Sequence, residues 1–180
     1  MTNQHFQSNL SFRKMSLEFR VRDLLKPPVR ILKEAGVRPG MTILDFGCGP
    51  GGFAIAAARL VGPEGRVITL DRNPLALQSV ERRALRRNLS NIDTLSGDSP
   101  KECPDQSVDM VLLYDVIHGV DNRGELLAEL WRVLKPAGVL SVNDHHLSDE
   151  TLIGQVTGGK LFRLTGRCKW SFQFAKEKML

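Results

Sequence analysis

Short runs of apolar residues alternate along the chain with stretches in which apolar residues recur at helical spacing. The apolar runs predict five strands, at residues 41–46, 66–70, 92–95, 108–114 and 139–143. The helical stretches lie between them, at about 53–61, 74–87 and 123–134, and Pro136-Ala137-Gly138 is expected to end the last one. Such alternation is typical of a parallel sheet that is buried on both faces and joined by right-handed crossovers.

The pattern changes near the end of the chain, after a weak helical stretch at about 148–157. Residues 161–164 and 170–174 alternate between apolar and polar positions, and Gly166-Arg167 lies between them as the expected turn. Two alternating runs joined by a short loop predict an antiparallel hairpin. We therefore predict an α/β fold, a doubly wound and mostly parallel sheet with an antiparallel C-terminal hairpin at one edge.

The composition is that of a single globular domain, with 180 residues, of which 42% are hydrophobic and 25% charged. No apolar run approaches the roughly 18 residues of a membrane-spanning helix, and the N-terminus is too polar for a signal peptide. We therefore expect a soluble, cytoplasmic protein. The cysteines Cys48, Cys103 and Cys168 have unrelated spacings, which predicts reduced thiols rather than disulfides or a zinc site.

The formal net charge of +5 is concentrated at the two ends of the chain. Residues 1–38 contain eight Lys or Arg against three acidic residues, and residues 160–180 contain six against one. A helical stretch adds Arg82, Arg83, Arg86 and Arg87. These basic regions could bind an anionic partner such as RNA, or they could be ordinary solvated surface.

Glycines are concentrated where the first predicted strand ends, in Leu44-Asp45-Phe46-Gly47-Cys48-Gly49-Pro50-Gly51-Gly52. Glycines allow a tight turn and a close ligand, and the helix that follows offers unpaired N–H groups. Gly47, Gly49 and Gly52 match the dinucleotide fingerprint, whereas Gly47, Gly49 and Gly51 match G-x-G-x-G with Asp45 two residues earlier. The spacing alone fits both patterns. A P-loop is excluded because its Lys-Ser/Thr pair is absent.

Two further carboxylates follow strands of the same predicted sheet. Asp71 ends the second strand, and Asp98 follows the third in Gly97-Asp98-Ser99. Asp71 would bind ribose hydroxyls in either kind of cofactor, and Asp98 could accept a hydrogen bond from an adenine amino group. A dinucleotide enzyme would need a second nucleotide-binding half, whereas this chain finishes in a hairpin. The residues therefore favour a mononucleoside cofactor.

Taken together, the motifs resemble those of the class I S-adenosylmethionine-dependent methyltransferases. They are LDFGCGPGG, the Leu70-Asp71 strand end, GDSP, VDMVLLYDVIH and ELWRVLKPAGVL, in this order and spacing over about residues 29–175. The chain is most similar to the ubiquinone/menaquinone-type and related small-molecule enzymes. The resemblance implies a seven-stranded, Rossmann-like sheet and S-adenosyl-L-methionine as the cofactor.

The resemblance also implies roles for single residues. Asp45 would organise the methionine end of the cofactor, and the loop of Gly47, Gly49 and Gly51 would pass beneath it. Asp71 would bind the ribose. The other implied cofactor contacts are Arg72, Asn73, Asp98 and Ser99 around the adenine and the backbone near Tyr114 at the methionine.

Transfer of the cofactor's methyl group is an in-line displacement at a sulfonium carbon. It needs an aligned nucleophile and the exclusion of water, and it needs a base only if the acceptor starts protonated. Candidates follow the fourth and fifth predicted strands, and they are Asp115, His118, His145 and His146. Histidine suits a base because it titrates near neutrality. No metal site is predicted, because Asn143-Asp144 reverses the order found in catechol O-methyltransferase-like enzymes.

The expected acceptor is a small molecule. No Asn/Asp-Pro-Pro-Tyr/Phe motif follows the fourth strand, which argues against methylation of exocyclic amino groups in DNA or of glutamine in proteins. Residues 1–28 are expected to form an N-terminal helical lid or flexible arm on a methyltransferase domain spanning 29–180, and the second subunit of a homodimer is another means of covering the acceptor. An RNA or ribosome methyltransferase and a non-catalytic cofactor-binding subunit are the alternatives.

Overall fold

The structure, a computed structural model, describes residues 12, 14, 17, 19 and 22 and the continuous range 25–177. The five isolated positions and residue 25 are helical. None of the helices in these described parts is both long enough and apolar enough to cross a membrane. The cytoplasmic location stays a prediction. All three cysteines are free thiols.

Seven strands and five main helices follow one another in the range 25–177. The strands are β1 (Thr42–Phe46), β2 (Arg66–Asp71), β3 (Ile92–Ser96), β4 (Val108–Tyr114), β5 (Leu134–Asn143), β6 (Phe162–Arg167) and β7 (Phe172–Lys176). The helices are α1 (Pro28–Ala35), α2 (Gly52–Val61), α3 (Pro74–Leu85), α4 (Arg123–Val133) and α5 (Asp149–Thr157). A short 3₁₀ helix, Ile117–Gly119, follows β4.

The strands form one sheet in the order β3-β2-β1-β4-β5-β7-β6. Strands β1 to β5 pair in parallel, and β7 pairs antiparallel with both β5 and β6. The predicted fold class and its antiparallel hairpin are confirmed. Because β1 lies between β2 and β4, the chain changes direction across the sheet at β1. A crevice at the carboxyl end of β1 is therefore the expected ligand site.

The core consists of two apolar layers, one on each face of the sheet. Leu44 and Val111 contribute to one layer, and their chain neighbours Ile43 and Leu112 contribute to the other. Alternate side chains of a strand point to opposite faces, so β1 and β4 are buried on both sides. The continuous apolar runs of these two strands in the sequence reflect this double burial.

Two turns differ from the sequence predictions. Gly166-Arg167 lies inside β6, and the hairpin turns at residues 168–171, where the N–H of Cys168 donates to the Ser171 carbonyl at 2.8 Å. The pairing of β6 with β7 shifts by one residue between Leu164 and Gly166, which is a bulge of the kind that glycine favours.

The segment Pro136-Ala137-Gly138 also has a different role from the predicted one. Strand β5 begins at Leu134, directly after α4, and contains this segment. The pairing with β4 jumps from Leu134 opposite Val108 to Val139 opposite Met110, so the intervening residues bulge out of the ladder. Proline has no N–H to donate to a neighbouring strand, and a bulge accommodates it.

Candidate functional site

The glycine loop after β1 is held against β2 by backbone hydrogen bonds. The N–H groups of Gly47 and Cys48 both donate to the Leu70 carbonyl, at 2.8 and 3.2 Å. The N–H of Gly49 donates to Oδ2 of Asp71 at 2.9 Å, and the other carboxylate oxygen of Asp71 accepts from the Asn73 N–H at 2.8 Å. Asp71 therefore sets the position of the loop.

Helix α3 packs directly on the far end of this loop. Gly51 has a φ of +84°, and a Cβ there would lie 2.7 Å from Cγ2 of Val80. The Ser79 hydroxyl and Nη1 of Arg83 donate to the Pro50 carbonyl, at 3.1 and 2.6 Å. Gly47 and Gly49 are also in the left-handed region, with φ of +73° and +50°. The backbone geometry thus accounts for all three glycines of the motif.

Asp45 is a carboxylate buried beneath the loop. Asp45 is 3% exposed, and its Oδ2 has no hydrogen-bond partner among the described residues. Burial, and then the negative charge of Asp71, raise the pKa of Asp45 to about 7, although the Ala54 N–H and the charge of Arg22 act in the opposite direction. A buried carboxylate oxygen without a donor is costly, so this position suits a ligand that supplies one.

A narrow cleft opens at the carboxyl ends of β1 and β4. The side chains that line it include Phe19, Arg22, Asp45, Phe53, Tyr114 and Asp115, together with the glycine loop. Phe53 packs edge-on against Tyr114, with ring centroids 4.7 Å apart. The Tyr114 hydroxyl bonds Ser141 Oγ at 2.7 Å, and burial raises the pKa of Tyr114 to about 12. Tyr114 is therefore a neutral wall of the cleft and not a proton carrier near neutral pH.

Asp115 joins the cleft to the loop that follows β5. Its Oδ1 lies 2.7 Å from Nδ1 of His145 and accepts from the His145 N–H at 3.2 Å, and its Oδ2 accepts from Nη1 of Arg22 at 2.8 Å. Asp115 has a φ of +57°, which is uncommon for a residue with a side chain. Its N–H donates to the Asn143 carbonyl at 2.8 Å, which holds this conformation between β4 and β5.

A second carboxylate and imidazole pair lies next to the first. Nδ1 of His118 is 2.8 Å from Oδ2 of Asp144. Burial alone raises the pKa of Asp144, but the hydrogen bonds from His118 and from the His146 N–H outweigh it, and the pKa lies below its ordinary value. The His146 ring is 4.2 Å from that of His118 and 3.9 Å from that of His145. Three imidazoles therefore share one surface beside the cleft.

Comparison with known proteins assigns this architecture to a family. A family model described as a methyltransferase domain matches residues 38–173, most of the chain. The chain belongs to this methyltransferase family. The match confirms the resemblance to class I S-adenosylmethionine-dependent methyltransferases that the motifs indicate, together with the cofactor that it implies.

Individual relatives of this methyltransferase domain agree with the family assignment. The ubiquinone/menaquinone biosynthesis C-methyltransferase UbiE of Marinomonas sp. is 30% identical over 135 residues, which are 74% of this chain and 54% of that protein. The demethylmenaquinone methyltransferase of Lactobacillus johnsonii is 34% identical over 115 residues, 63% of this chain and 47% of that protein. The methyltransferase domain thus spans about half the length of these curated relatives.

A solved structure matches the methyltransferase domain over nearly its whole length. It is an S-adenosylmethionine-dependent methyltransferase from Aquifex aeolicus, with a TM-score of 0.74 and 26% sequence identity. The match covers 86% of this chain and 91% of that one. The similarity therefore covers most of the fold.

The cleft of the methyltransferase domain fits the methionine end of S-adenosylmethionine. The cofactor's ammonium can supply the donor and the positive charge that Oδ2 of Asp45 lacks. The left-handed glycine at Gly51 keeps the loop free of a Cβ where it meets α3. Cys48, in the same loop, is buried, and burial raises the pKa of its thiol, which agrees with a packing role.

The structure brings most of the predicted site residues of the methyltransferase domain to one edge. Of these, Asp45, Gly47, Gly49, Tyr114 and Asp115 line the cleft. Gly51 lies between two lining residues, and Asp71 and His145 bond the lining residues Gly49 and Asp115. Arg72, Asp98 and Ser99 lie further along the edge, outside the cleft lining. The Gly97 N–H donates to the Asp71 carbonyl at 3.2 Å, which places this segment beside the end of β2.

Two cleft residues, Phe19 and Arg22, lie in the segment that the sequence predicts as a lid, but the sequence does not identify Arg22 as a site residue. Phe12, Phe19 and Arg22 are seven and three residues apart, which places them on one face of a helix. Phe12 is buried, and the other two line the cleft. The spacing of these residues indicates one face of a helix, but it does not show that this face packs against the cleft.

Proposed function

We propose that this protein transfers the methyl group of S-adenosylmethionine to a small-molecule acceptor. One observation carries the proposal: a single cleft is lined by the glycine loop, by the buried Asp45, whose Oδ2 lacks a partner among the described residues, and by Asp115, which bonds His145. Methyl transfer needs a cofactor site and an acceptor site that meet, and this arrangement is consistent with both. The named activities of the relatives make demethylated quinones the first acceptors to test.

In this proposal the carboxyl ends of neighbouring strands bind successive parts of the cofactor. Asp45 binds the ammonium of the methionine moiety, and the backbone near Tyr114 lies alongside it. Asp71 binds the ribose hydroxyls while its carboxylate also positions the Gly49 N–H. The adenine is held beyond β2 by Arg72, Asp98 and Ser99, and the buried Ser99 Oγ without a partner among the described residues supports a contact there.

The proposed chemistry needs little covalent participation by the protein. The cofactor supplies an activated methyl group on a sulfonium, and the protein aligns the acceptor and excludes water. Asp115 holds His145 through Nδ1, which leaves Nε2 of His145 to take the acceptor's proton. His118, positioned by Asp144, orients the acceptor on the same surface.

The N-terminal residues 1–28 act as a lid in this proposal, and residues 29–180 form the methyltransferase domain. Phe19 and Arg22 line the cleft, which supports this role. The Arg22 guanidinium lies 4.2 Å from the Phe19 ring centroid and 5.5 Å from that of Phe53. Such a cover keeps water from the reacting atoms.

The surface contacts of α3 support a small molecule over RNA. Nε of Arg82 donates to the Gln78 carbonyl, Nη1 of Arg83 to the Pro50 carbonyl and Nη1 of Arg87 to the Arg83 carbonyl. Guanidinium groups that bond backbone carbonyls have fewer donors left for phosphate groups. These contacts give three of the four arginines a structural role, and RNA becomes an outcome of the test.

Asp71→Asn is expected to weaken S-adenosylmethionine binding about tenfold. The amide keeps one oxygen, but its NH₂ group cannot accept a hydrogen bond from the Gly49 or Asn73 N–H groups or from a ribose hydroxyl. Isothermal titration calorimetry measures the change, with the exposed Asp121→Asn variant as the control. Unchanged affinity in Asp71→Asn would show that the ribose assignment is wrong.

His145→Gln is expected to lower kcat about 100-fold for an acceptor that must lose a proton, with S-adenosylmethionine affinity within about twofold of wild type. Glutamine can still bond Asp115, but it cannot carry the proton. Initial rates measured across pH give kcat and KM, and His118→Gln is the comparison, expected to raise KM more than it lowers kcat. Equal kcat in wild type and His145→Gln would remove His145 from the proton transfer.

The decisive experiment combines cofactor binding with methyl transfer. Calorimetry with S-adenosylmethionine comes first, and no binding by the wild-type protein contradicts the proposal. Tritiated S-adenosylmethionine is then incubated with demethylated quinones, with total RNA and with a fractionated cell extract. Label in a small-molecule fraction supports the proposal, whereas label in RNA, or binding without any transfer, favours one of the alternative functions.

A further inference from the structure

Arg22 places a positive charge inside the cleft. Its Nη1 donates to Oδ2 of Asp115 at 2.8 Å, and its side chain is 29% exposed. Among the described residues that line the cleft, Arg22 supplies the cation, and Asp45 and Asp115 supply the carboxylates. The guanidinium is close enough to Asp45 for its charge to favour the ionised form of that carboxyl. Arg22 thus lies within electrostatic reach of both acidic groups.

The methionine end of S-adenosylmethionine carries an ammonium and a carboxylate on the same carbon, next to the sulfonium. The proposed function pairs the ammonium with Asp45, so the cofactor's carboxylate must lie a few ångströms from Asp45. A carboxylate that enters a cleft already holding two others needs a cationic partner. A guanidinium binds a carboxylate with two parallel hydrogen bonds, and Arg22 is positioned to reach it.

We propose that Arg22 is a cofactor-binding residue that exchanges its ion-pair partner, from Asp115 in the free protein to the methionine carboxylate of bound S-adenosylmethionine. The inference rests on the proposed function. Its consequence is an order of events: once Arg22 has moved to the cofactor, Oδ2 of Asp115 is released, and Oδ1 keeps its contact with His145. The acceptor side of the cleft becomes available after the methyl donor is bound.

The competing explanation is a fixed structural ion pair. In that case Arg22 only fastens the N-terminal helical residues to Asp115, and its removal weakens every ligand of the cleft equally. The two explanations differ in whether the effect of Arg22 depends on the cofactor's carboxylate. A ligand pair that differs only in that group separates them.

The test uses S-adenosylmethionine and its decarboxylated analogue, titrated by calorimetry into wild type and Arg22→Gln. Wild type is expected to bind S-adenosylmethionine about tenfold more tightly than the analogue, allowing for a charge-assisted pair partly open to solvent. Arg22→Gln is expected to bind the two ligands within about twofold of each other, with the loss confined to S-adenosylmethionine. Arg22→Lys keeps the positive charge but cannot form the two parallel hydrogen bonds of a guanidinium. It is expected to retain part of the preference for S-adenosylmethionine over the analogue.

Lys14→Gln is the matched control, because Lys14 is an exposed cation among the same described helical positions near the N-terminus. It should leave both affinities unchanged, and thermal unfolding of each variant shows whether it is folded. Equal weakening of both ligands in Arg22→Gln, or no weakening of either, overturns the inference while the proposed function stands. Failure of wild type to bind S-adenosylmethionine overturns both.

Discussion

Gly51→Ala is expected to lower the free energy of unfolding by about 3 kcal/mol and to weaken S-adenosylmethionine binding about 100-fold. The residue has a φ of +84°, which an L side chain rarely adopts. The new Cβ would lie 2.7 Å from Cγ2 and 3.4 Å from Cα of Val80. To relieve that overlap, α3 must move away from the loop, and the hydrogen bonds from Ser79 and Arg83 to the Pro50 carbonyl must lengthen.

Two further variants test this explanation. Gly124→Ala, at a glycine with nothing within 4 Å of the added Cβ, is the control and should retain wild-type binding. Val80→Ala removes the side chain that the new Cβ meets, so the Gly51→Ala/Val80→Ala double variant should recover part of the lost affinity. Chemical denaturation and calorimetry measure both quantities. A double variant that binds no better than Gly51→Ala rules out the overlap as the cause.

Asp45→Asn is expected to change the pH dependence of stability by about 4 kcal/mol between pH 4 and pH 8. The pKa of Asp45 rises from 3.8 to about 7 on folding, chiefly through burial. Between these values the folded protein binds one more proton than the unfolded chain, so the wild-type unfolding free energy falls as pH rises from about 4 to about 7. Above pH 7 the buried, ionised carboxylate carries the full cost. Asparagine cannot ionise and lacks this dependence.

The quantity to measure is the gap in unfolding free energy between wild type and Asp45→Asn, from urea denaturation at each pH. This gap cancels any constant effect of the amide on packing. It should shift in favour of Asp45→Asn on going from pH 4 to pH 8, whereas the exposed Asp121→Asn variant should keep a constant gap. A constant gap for Asp45→Asn would mean that Asp45 is not a buried ionisable group of the folded state.

The same carboxylate links stability to the proposed cofactor. If the ammonium of S-adenosylmethionine pairs with Asp45, binding favours ionised Asp45 and releases a proton below about pH 7. The affinity for S-adenosylmethionine should then fall as pH decreases through the range 7 to 5. In that case the buried acid is unfavourable in the free protein and favourable in the complex.

Much of the fold follows from local patterns. Strands such as β4 are buried on both faces and appear as continuous apolar runs, and the crossovers between parallel strands require helices of predictable length. The turns were harder to predict. Gly166-Arg167 and Pro136-Ala137-Gly138 are turn sequences by composition, yet pairing with β7 and β4 accommodates both inside strands as bulges. The pairing partner, which lies far away in sequence, decides between a turn and a bulge.

The sequence by itself determined the α/β class, the glycine loop and the carboxylates that end β1 and β2, because strand ends, left-handed glycines and buried acids each require particular residue types at short range. Tertiary structure alone decided which distant groups meet. Arg22 and Asp115 are 93 residues apart and Asp115 and His145 are 30 apart, and no local propensity encodes either contact. The parallel order of β4 and β5 and the packing of the N-terminal helical positions bring these side chains to one cleft, where charge and distance determine their chemistry.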